Sequence, residues 1–66
     1  MYFNKLKKIR LEKGLTLQEL ANKTQISAGY LCHLENGTRV NPSIDVMEKI
    51  SKALDKTIFE IFFNQE

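Results

Sequence analysis

Two helix-capping residues close together, Thr16 and Ser27, constrain the fold of this chain more than any other feature. Thr16 is followed three residues later by Glu19, which is the spacing of a capping box and marks the start of a helix. Ser27 can cap a second helix, and Gly37 can end that helix in a left-handed conformation. The segment between the two caps therefore holds one short helix and a turn of only a few residues.

The capping pattern continues along the 66-residue chain and predicts an all-α fold of five compactly packed helices. Gly14 ends the first helix, Ser43 caps the fourth, and Thr57 with Glu60 forms a second capping box before the fifth. The expected helices cover residues 3–13, 17–23, 28–36, 44–54 and 58–63. A chain of this length makes one domain, with a helix-turn-helix at about residues 16–36.

Apolar residues recur at helical spacing on each predicted helix and together form the expected core. These residues are Leu6, Ile9, Leu15, Leu20, Ala21, Ile26, Leu31, Leu34, Ile44, Met47, Ile50, Leu54, Ile58, Ile61 and Phe62. The expected stability is modest, because so short a chain buries only about 60% of its unfolded surface.

Composition favours the reducing cytoplasm over the membrane or the cell exterior. Cys32 is the only cysteine, so no disulfide supports the fold. The first ten residues are charged and lack an apolar signal core, and the run IFEIFF is far too short to cross a bilayer. We expect a cytoplasmic protein without a membrane partner.

The residue pattern gives no support for catalysis. Cys32 and His33 are the only cysteine and histidine, and adjacent helical residues point about 100° apart, which suits a nucleophile and its base poorly. A structural zinc site needs four ligands, and no such set of Cys and His is present. No glycine-rich phosphate loop is present either. We expect the chain to be no enzyme and to hold no metal and no cofactor.

Positive charge is concentrated in the part of the chain that holds the two capped helices. Residues 1–40 contain seven Lys and Arg against three acidic residues, whereas residues 41–66 contain three Lys against five acidic residues. DNA phosphates are attracted to a region of concentrated positive charge, even though the overall charge of the chain is only +2. Two short helices joined by a tight turn are also the arrangement that places a helix in the DNA major groove. Double-stranded DNA is therefore the expected partner.

Several motifs, in their order and spacing, resemble the lambda-repressor-like Cro/XRE family of bacterial and phage DNA-binding proteins. Residues 9–16, IRLEKGLT, resemble the end of that family's first helix, and residues 34–37, LENG, resemble the end of its recognition helix. Residues 41–43, NPS, resemble the start of its fourth helix, and the whole resemblance extends over roughly residues 4–62. It implies a sequence-specific DNA-binding transcriptional regulator, expected to act as a repressor and as a homodimer on a pseudo-palindromic operator.

The resemblance implies that the outward side of the third helix contacts the bases. Leu31 and Leu34 are expected to face inward. The residues left facing outward are the expected base contacts, namely Ala28, Gly29, Cys32 and His33. His33 can donate a hydrogen bond to guanine O6 or N7, or to a phosphate. The alternatives are an exposed histidine without a role and a cysteine that only fills surface.

This chain departs from the family pattern at positions that would contact DNA. Ala28 and Gly29 carry no hydrogen-bonding side chain, so shape readout gains weight over direct readout. Leu17 stands where many relatives have a phosphate-contacting glutamine, which Gln18 replaces imperfectly. Gln25 takes the place of the usual turn glycine and is expected to adopt a positive φ at some energetic cost.

Phosphate contacts are expected from polar residues that flank the third helix. They lie at the start of the second helix, along the third helix and in the loop that follows, and are Thr16, Gln18, Ser27, Tyr30, Asn36, Thr38, Arg39 and Asn41. Tyr30 has an alternative role as a half-buried packing residue.

Two further pairs have structural or partner roles. The resemblance implies that Arg10 and Glu35 form an ion pair that joins the first and third helices. Phe59 and Phe63 lie one turn apart beside the inward face of the last helix and are the expected dimer interface. The alternative for these two phenylalanines is packing against the first helix, including residues 2 and 3.

A protein-interaction module of the same fold, such as an antitoxin-like partner, is the second function that the sequence allows. The bare surface at Ala28 and Gly29 and the pair Phe59 and Phe63 favour it. A protein that modulates the regulator is a further partner to consider.

Overall fold

The computed structural model describes residues 4–38 and 41–63. Within these residues the chain forms five helices and no strand, which confirms the all-α prediction. The helices are α1 (Leu6–Glu12), α2 (Leu17–Thr24), α3 (Ala28–Glu35), α4 (Ile44–Leu54) and α5 (Phe59–Phe63). None of these helices has the length and apolarity that crossing a membrane requires, as far as the described ranges go.

Polar caps begin three of the helices, as the sequence predicts. Thr16 Oγ1 accepts the Glu19 N–H at 3.0 Å, and Glu19 Oε1 accepts the Thr16 N–H at 2.8 Å, which completes a capping box. The hydroxyls of Ser27 and Ser43 each accept the backbone N–H of the residue three positions later, at 3.1 and 3.2 Å. These bonds satisfy N–H groups that no helical carbonyl can reach, so local sequence determines where α2, α3 and α4 begin.

Residues with positive φ follow the ends of the α-helices. Gly14 and Gly37 have φ of 72° and 68°, and Gln25 has φ of 62°. The left-handed conformations expected at Gly37 and Gln25 are confirmed. Asp55, for which no such conformation was expected, adopts φ of 56° after α4.

The start of α1 lies later than expected, at Leu6 rather than at residue 3. The Asn4 side chain precedes the helix, where its Oδ1 accepts the Leu6 N–H at 2.9 Å and its Nδ2 donates to the Leu34 carbonyl at 2.9 Å. The Lys5 N–H donates to the Ile61 carbonyl at 2.8 Å. This segment therefore connects α1 to both α3 and α5. Residues 1–3, and with them the expected packing of Tyr2 and Phe3, lie outside the described residues.

The last helix differs from the expected α-helix over residues 58–63, because Phe59–Phe63 is π-helical. The capping box at its start is present, with the Thr57 N–H donating to Glu60 Oε1 at 2.9 Å and the Glu60 N–H donating to Thr57 Oγ1 at 3.0 Å. A π-helix has more residues per turn than an α-helix, so consecutive side chains point in closer directions. Ile61 and Phe62, which the predicted core already included, are both buried.

The core draws on all five helices and contains most of the predicted residues. Its buried members among the described residues are Leu6, Ile9, Leu20, Ala21, Leu31, Leu34, Met47, Ile50, Leu54, Ile61 and Phe62. Leu15, Ile26 and Ile58 pack at its edge and are half-buried. The prediction for Ile44 is wrong, since its side chain is 62% exposed. Ile44 is the first residue of α4, and the inward face of that helix begins one turn later, at Met47.

A buried ion pair between Arg10 and Glu35 joins α1 to α3. Arg10 Nε lies 2.5 Å from Glu35 Oε2 and Nη2 lies 3.2 Å from Oε1, so the contact is bidentate. Arg10 Nη1 donates to the Leu15 carbonyl at 2.7 Å, which holds the segment between α1 and α2. The two charged side chains are only 9% and 5% exposed. The hydrogen bond with Glu35 raises the pKa of Arg10 above its usual value, so the guanidinium stays charged.

Replacing Glu35 by alanine is expected to lower the free energy of unfolding by about 3–5 kcal/mol, because it leaves the Arg10 guanidinium buried without its counter-charge. Urea titration followed by circular dichroism measures this loss. The matched control is Lys49→Ala, which breaks the exposed 3.7 Å pair with Asp45. This control is expected to change the free energy by at most about 1 kcal/mol. Equal losses in Glu35→Ala and Lys49→Ala would contradict the central role of the buried pair.

Candidate nucleic-acid interface

The turn between α2 and α3 is held by the last residues of α2. Thr24 is buried, and its Oγ1 donates to the Leu20 carbonyl at 2.8 Å and accepts the Ile26 N–H at 3.3 Å. Gln25, in the left-handed conformation, donates through Nε2 to the Asn22 carbonyl at 3.0 Å. Thr24 was not singled out from the sequence, although a threonine near a helix end can bond back to the carbonyl four residues earlier. These bonds fix the turn that follows α2, and α2 and α3 pack against each other.

One side of the third helix and its cap faces solvent. The exposed residues are Gly29, Cys32, His33 and Asn36, which we call the α3 stripe. Their spacing of three and four residues places them along one face of a helix. A side chain at Gly29 would meet no atom within 4 Å, so this end of the stripe is open. The outward orientation predicted for Gly29, Cys32 and His33 is confirmed.

Ala28 meets the predicted outward orientation only in part. Ala28 is half-buried and packs against the core. It lies at the boundary between the inward side of the helix, which holds the fully buried Leu31, and the α3 stripe, so its base contact stays a prediction. Tyr30 is also half-buried and packs against the core, as the alternative role from the sequence predicts. Its hydroxyl contact with phosphate stays a prediction.

Hydroxyl groups at the starts of α2 and α3 can donate outward. Thr16 and Ser27 are exposed, and each uses its oxygen to accept a backbone N–H. The hydroxyl hydrogen is then available to another acceptor. Gln18 is exposed as well and donates from Nε2 to Asn22 Oδ1 at 3.1 Å, which uses one of its two amide hydrogens. The positive ends of the two helix dipoles add to these donors, so both helix starts suit an anion such as a phosphate.

The chain reverses directly after α3 through a Schellman motif. The Gly37 N–H donates to the Leu34 carbonyl, and the Thr38 N–H donates to the His33 carbonyl, both at 3.3 Å. The reversal brings the Thr38 hydroxyl next to His33. Thr38 Oγ1 lies 3.0 Å from the His33 carbonyl oxygen and 3.3 Å from His33 Nδ1. The sequence did not predict this contact between two candidate DNA-binding residues.

The other candidate phosphate contacts on this side lie at the end of α3 and in the loop. Asn36 is exposed and its Nδ2 donates to Cys32 Sγ at 3.5 Å. Asn41 is exposed in the loop before α4. Arg39 lies outside the described residues, so its phosphate contact stays a prediction. No group of three His, Cys, Asp or Glu side chains in residues 4–38 and 41–63 is placed to hold a metal ion.

Two phenylalanines project from α5. Phe59 is 64% exposed and Phe63 is 53% exposed, while Ile61 and Phe62 between them are buried. α5 packs against α1, yet the described part of the chain leaves both rings largely uncovered. The predicted dimer interface requires both rings to be exposed, and they are. The interface itself stays a prediction.

Two capped helices packed across a tight turn define a helix-turn-helix protein, and comparison with known proteins gives the family. Residues 6–61 match the family model described as helix-turn-helix, and the chain belongs to this family. SinR of Bacillus subtilis, an HTH-type transcriptional regulator, is 40% identical over 58 residues, which are 88% of this chain and 52% of SinR. The chain therefore spans about half the length of SinR.

Two further matches cover larger shares of the proteins concerned. YqaF of Bacillus subtilis, an uncharacterised HTH-type transcriptional regulator, is 52% identical over 56 residues, which are 82% of this chain and 72% of YqaF. The crystal structure of SinR, the master regulator for biofilm formation, in complex with DNA superimposes with a TM-score of 0.78. It is 41% identical and covers 82% of this chain and 86% of the SinR chain.

Two substitutions of Gln25, the turn residue with positive φ, are expected to change the free energy of unfolding in opposite directions. Gln25→Gly is expected to raise the free energy of unfolding by about 0.5 kcal/mol, because the steric cost of a positive φ that glycine removes outweighs the loss of the exposed bond to the Asn22 carbonyl. Gln25→Ala is expected to lower it by about 0.5–1 kcal/mol, because alanine keeps the strain and loses the bond to the Asn22 carbonyl. Urea titrations of both variants test this. A loss in Gln25→Gly as large as that in Gln25→Ala would show that the turn conformation carries no steric cost.

Proposed function

We propose that this protein is a sequence-specific DNA-binding transcriptional regulator that inserts α3 into the major groove. The observation that carries the proposal is the exposed α3 stripe, together with exposed hydroxyl donors at the starts of α2 and α3. The opposite side of α3 is anchored by the fully buried Leu31 and Leu34, so the stripe is held on a rigid support. An α-helix fits the major groove, which is about 12 Å wide. Membership of the helix-turn-helix family and the likeness to SinR bound to DNA support the same function.

Phosphates on either side of the groove would position the protein, and base edges would supply specificity. Thr16, Gln18 and Ser27 are exposed and present donors at the starts of α2 and α3. The polar residues at the other end of α3 serve the opposite strand in this proposal, and they are Asn36, Arg39 and Asn41. Thr38 was also expected to contact phosphate, but its hydroxyl and its N–H both bond to the His33 carbonyl, so it is left out of this set. Tyr30 contributes only its hydroxyl, since its ring packs against the core.

Base readout in this proposal rests on Gly29, Cys32 and His33. Gly29 allows the DNA to approach the backbone, since no neighbouring atom fills the space beside it. Cys32 is small and its thiol is a weak donor, so the His33 ring is the principal hydrogen-bonding group. Ala28 is half-buried at the edge of this surface and offers only its methyl group, which suits contact with a thymine methyl. With so few direct contacts, sequence-dependent DNA shape supplies part of the specificity.

Phe59 and Phe63 provide the surface for a homodimer on an operator with two half-sites. Each ring buried against a second copy contributes on the order of 1–3 kcal/mol. The molecule measures 25 × 21 × 20 Å, so two copies fit side by side on half-sites. Half-sites one helical turn apart are separated by about 34 Å. Occupancy of such an operator in the cytoplasm represses transcription by excluding other proteins, and a modulator protein could act through the same apolar surface.

A protein-interaction module of the same fold is the second candidate function. The exposed pair Phe59 and Phe63 and the side-chain-free position Gly29 are the observations that favour it. A gel-shift titration separates the two functions, because a regulator gives a saturable, salt-dependent shift and an interaction module gives none at low salt.

The base-reading role of His33 gives the first test of the proposal. His33→Ala is expected to relax the preference at one base pair per half-site by about 1–3 kcal/mol. The measurement is selection of bound sequences from a random DNA pool, followed by titration of the selected and altered sites. Lys8→Ala, an exposed charge on α1 away from the α3 stripe, serves as the control and is expected to retain the full preference. An unaltered preference in His33→Ala would remove His33 from the base contacts.

The dimer surface gives the second test. Phe59→Ser combined with Phe63→Ser is expected to abolish cooperative binding to a two-half-site operator, while binding to a single half-site and the helical circular dichroism signal persist. The reason is that a weak protein contact becomes effective when two half-sites hold the copies close together. Leu11→Ser is the matched control, because Leu11 is 57% exposed on α1 and has no assigned role. Cooperativity retained in the folded double variant would place the dimer interface elsewhere.

A further inference from the structure

We propose that Thr38 selects the tautomer of His33 and thereby determines which bases His33 can recognise. Thr38 Oγ1 lies within hydrogen-bonding distance of two atoms of His33, the backbone carbonyl oxygen at 3.0 Å and the ring Nδ1 at 3.3 Å. The carbonyl oxygen can only accept, whereas neutral Nδ1 donates in one tautomer and accepts in the other. The inference concerns specificity and rests on the proposed DNA-binding function.

The single hydroxyl hydrogen of Thr38 determines which of the two His33 tautomers can form both contacts. The Thr38 hydroxyl has a single hydrogen, which the shorter contact directs to the His33 carbonyl. The contact with Nδ1 is then a hydrogen bond only if Nδ1 carries the hydrogen and donates to Thr38 Oγ1. Only the Nδ1–H tautomer therefore satisfies both contacts at once. The bond made by one ring nitrogen decides the state of the other, so Nε2 is left as an acceptor.

The helix end explains why Thr38 holds this position. Gly37 adopts φ of 68°, a conformation that glycine accepts readily, and the chain turns back over the last turn of α3. The Thr38 N–H then donates to the same His33 carbonyl that accepts the Thr38 hydroxyl, which orients Thr38 by two bonds. Thr38, which completes the Schellman motif after α3, thus also orients the exposed ring of His33.

An Nε2 acceptor changes the base that a neutral His33 can recognise. In the major groove an acceptor pairs with the amino group of adenine or cytosine, whereas guanine presents only the acceptors O6 and N7. A neutral His33 held by Thr38 therefore favours adenine or cytosine at its position. This reverses the expectation from the sequence that His33 donates to guanine.

The tautomer can be measured directly, because His33 is the only histidine in the chain. Long-range proton–nitrogen NMR on the whole chain without DNA, at about pH 8 where histidine is ordinarily neutral, assigns each ring nitrogen. The Nδ1–H form is expected to predominate in the unaltered protein and in Thr38→Ser, which keeps the hydroxyl. Thr38→Val has a similar shape but no hydroxyl, and is expected to shift to the Nε2–H form that isolated histidine favours. A predominant Nε2–H form in the unaltered protein would overturn the inference.

The base preference is measured on the same variants at the same pH, by titrating operators that differ only at the His33 position. The unaltered protein and Thr38→Ser are expected to bind adenine or cytosine about 3- to 10-fold more tightly than guanine, the size of one hydrogen bond. Thr38→Val is expected to lose or reverse this preference, with its circular dichroism unchanged.

The two measurements separate failure of the inference from failure of the proposed function. An Nδ1–H form in the unaltered protein, with the same base preference in Thr38→Val, would overturn the specificity role while DNA binding stands. Absence of binding to any DNA by every variant would contradict the proposed function, and the specificity role with it, whatever tautomer the NMR spectrum shows.

Discussion

The bidentate contact between Arg10 and Glu35 is the interaction on which the rest of this structure depends. It joins α1 to the last turn of α3, and the same guanidinium holds the Leu15 carbonyl just before α2 begins. The end of α3 and the segment before α2 are thus both fixed to one buried charge on α1. A buried ion pair adds little net stability compared with apolar packing, yet removing one partner is costly. Its contribution is therefore to specify where α3 lies on the core.

The position of α3 determines what its exposed side can do. Leu31 and Leu34 anchor the inner side, and Asn4 adds a second connection by donating to the Leu34 carbonyl at 2.9 Å. The α3 stripe is left on the outside, and the N-caps Thr16 and Ser27 are exposed as well. In the proposed function, the same polar groups that begin α2 and α3 also contact phosphate.

Local rules predicted much of the fold from the sequence. The caps at Thr16, Ser27 and Ser43 and the positive φ at Gln25 depend on neighbours within a few residues, and all four are present. The prediction for Ile44 failed because periodicity gives the face of a helix and cannot show how far along the helix the core extends.

The other differences arise from contacts across the fold. The π-helical form of α5 was not predicted, because its capping box and its inward residues Ile61 and Phe62 fit an α-helix as well. Ala28 was predicted to face outward, and its place between the inward and outward sides of α3 leaves it half-buried. The contact between Thr38 and His33 requires the chain reversal after α3, and no spacing rule for the isolated motif includes it.

Amide chemical-shift mapping tests the central claim, that the α3 stripe is the surface that meets DNA. The chain is labelled with nitrogen-15 and titrated with a duplex selected from a random DNA pool. We expect the largest shifts at Gly29, Cys32 and His33 and at the caps Thr16 and Ser27, and we expect them to shrink as salt rises because phosphate contacts release counterions. Large shifts confined to α5 or α1, with the α3 stripe unchanged, would contradict the claim.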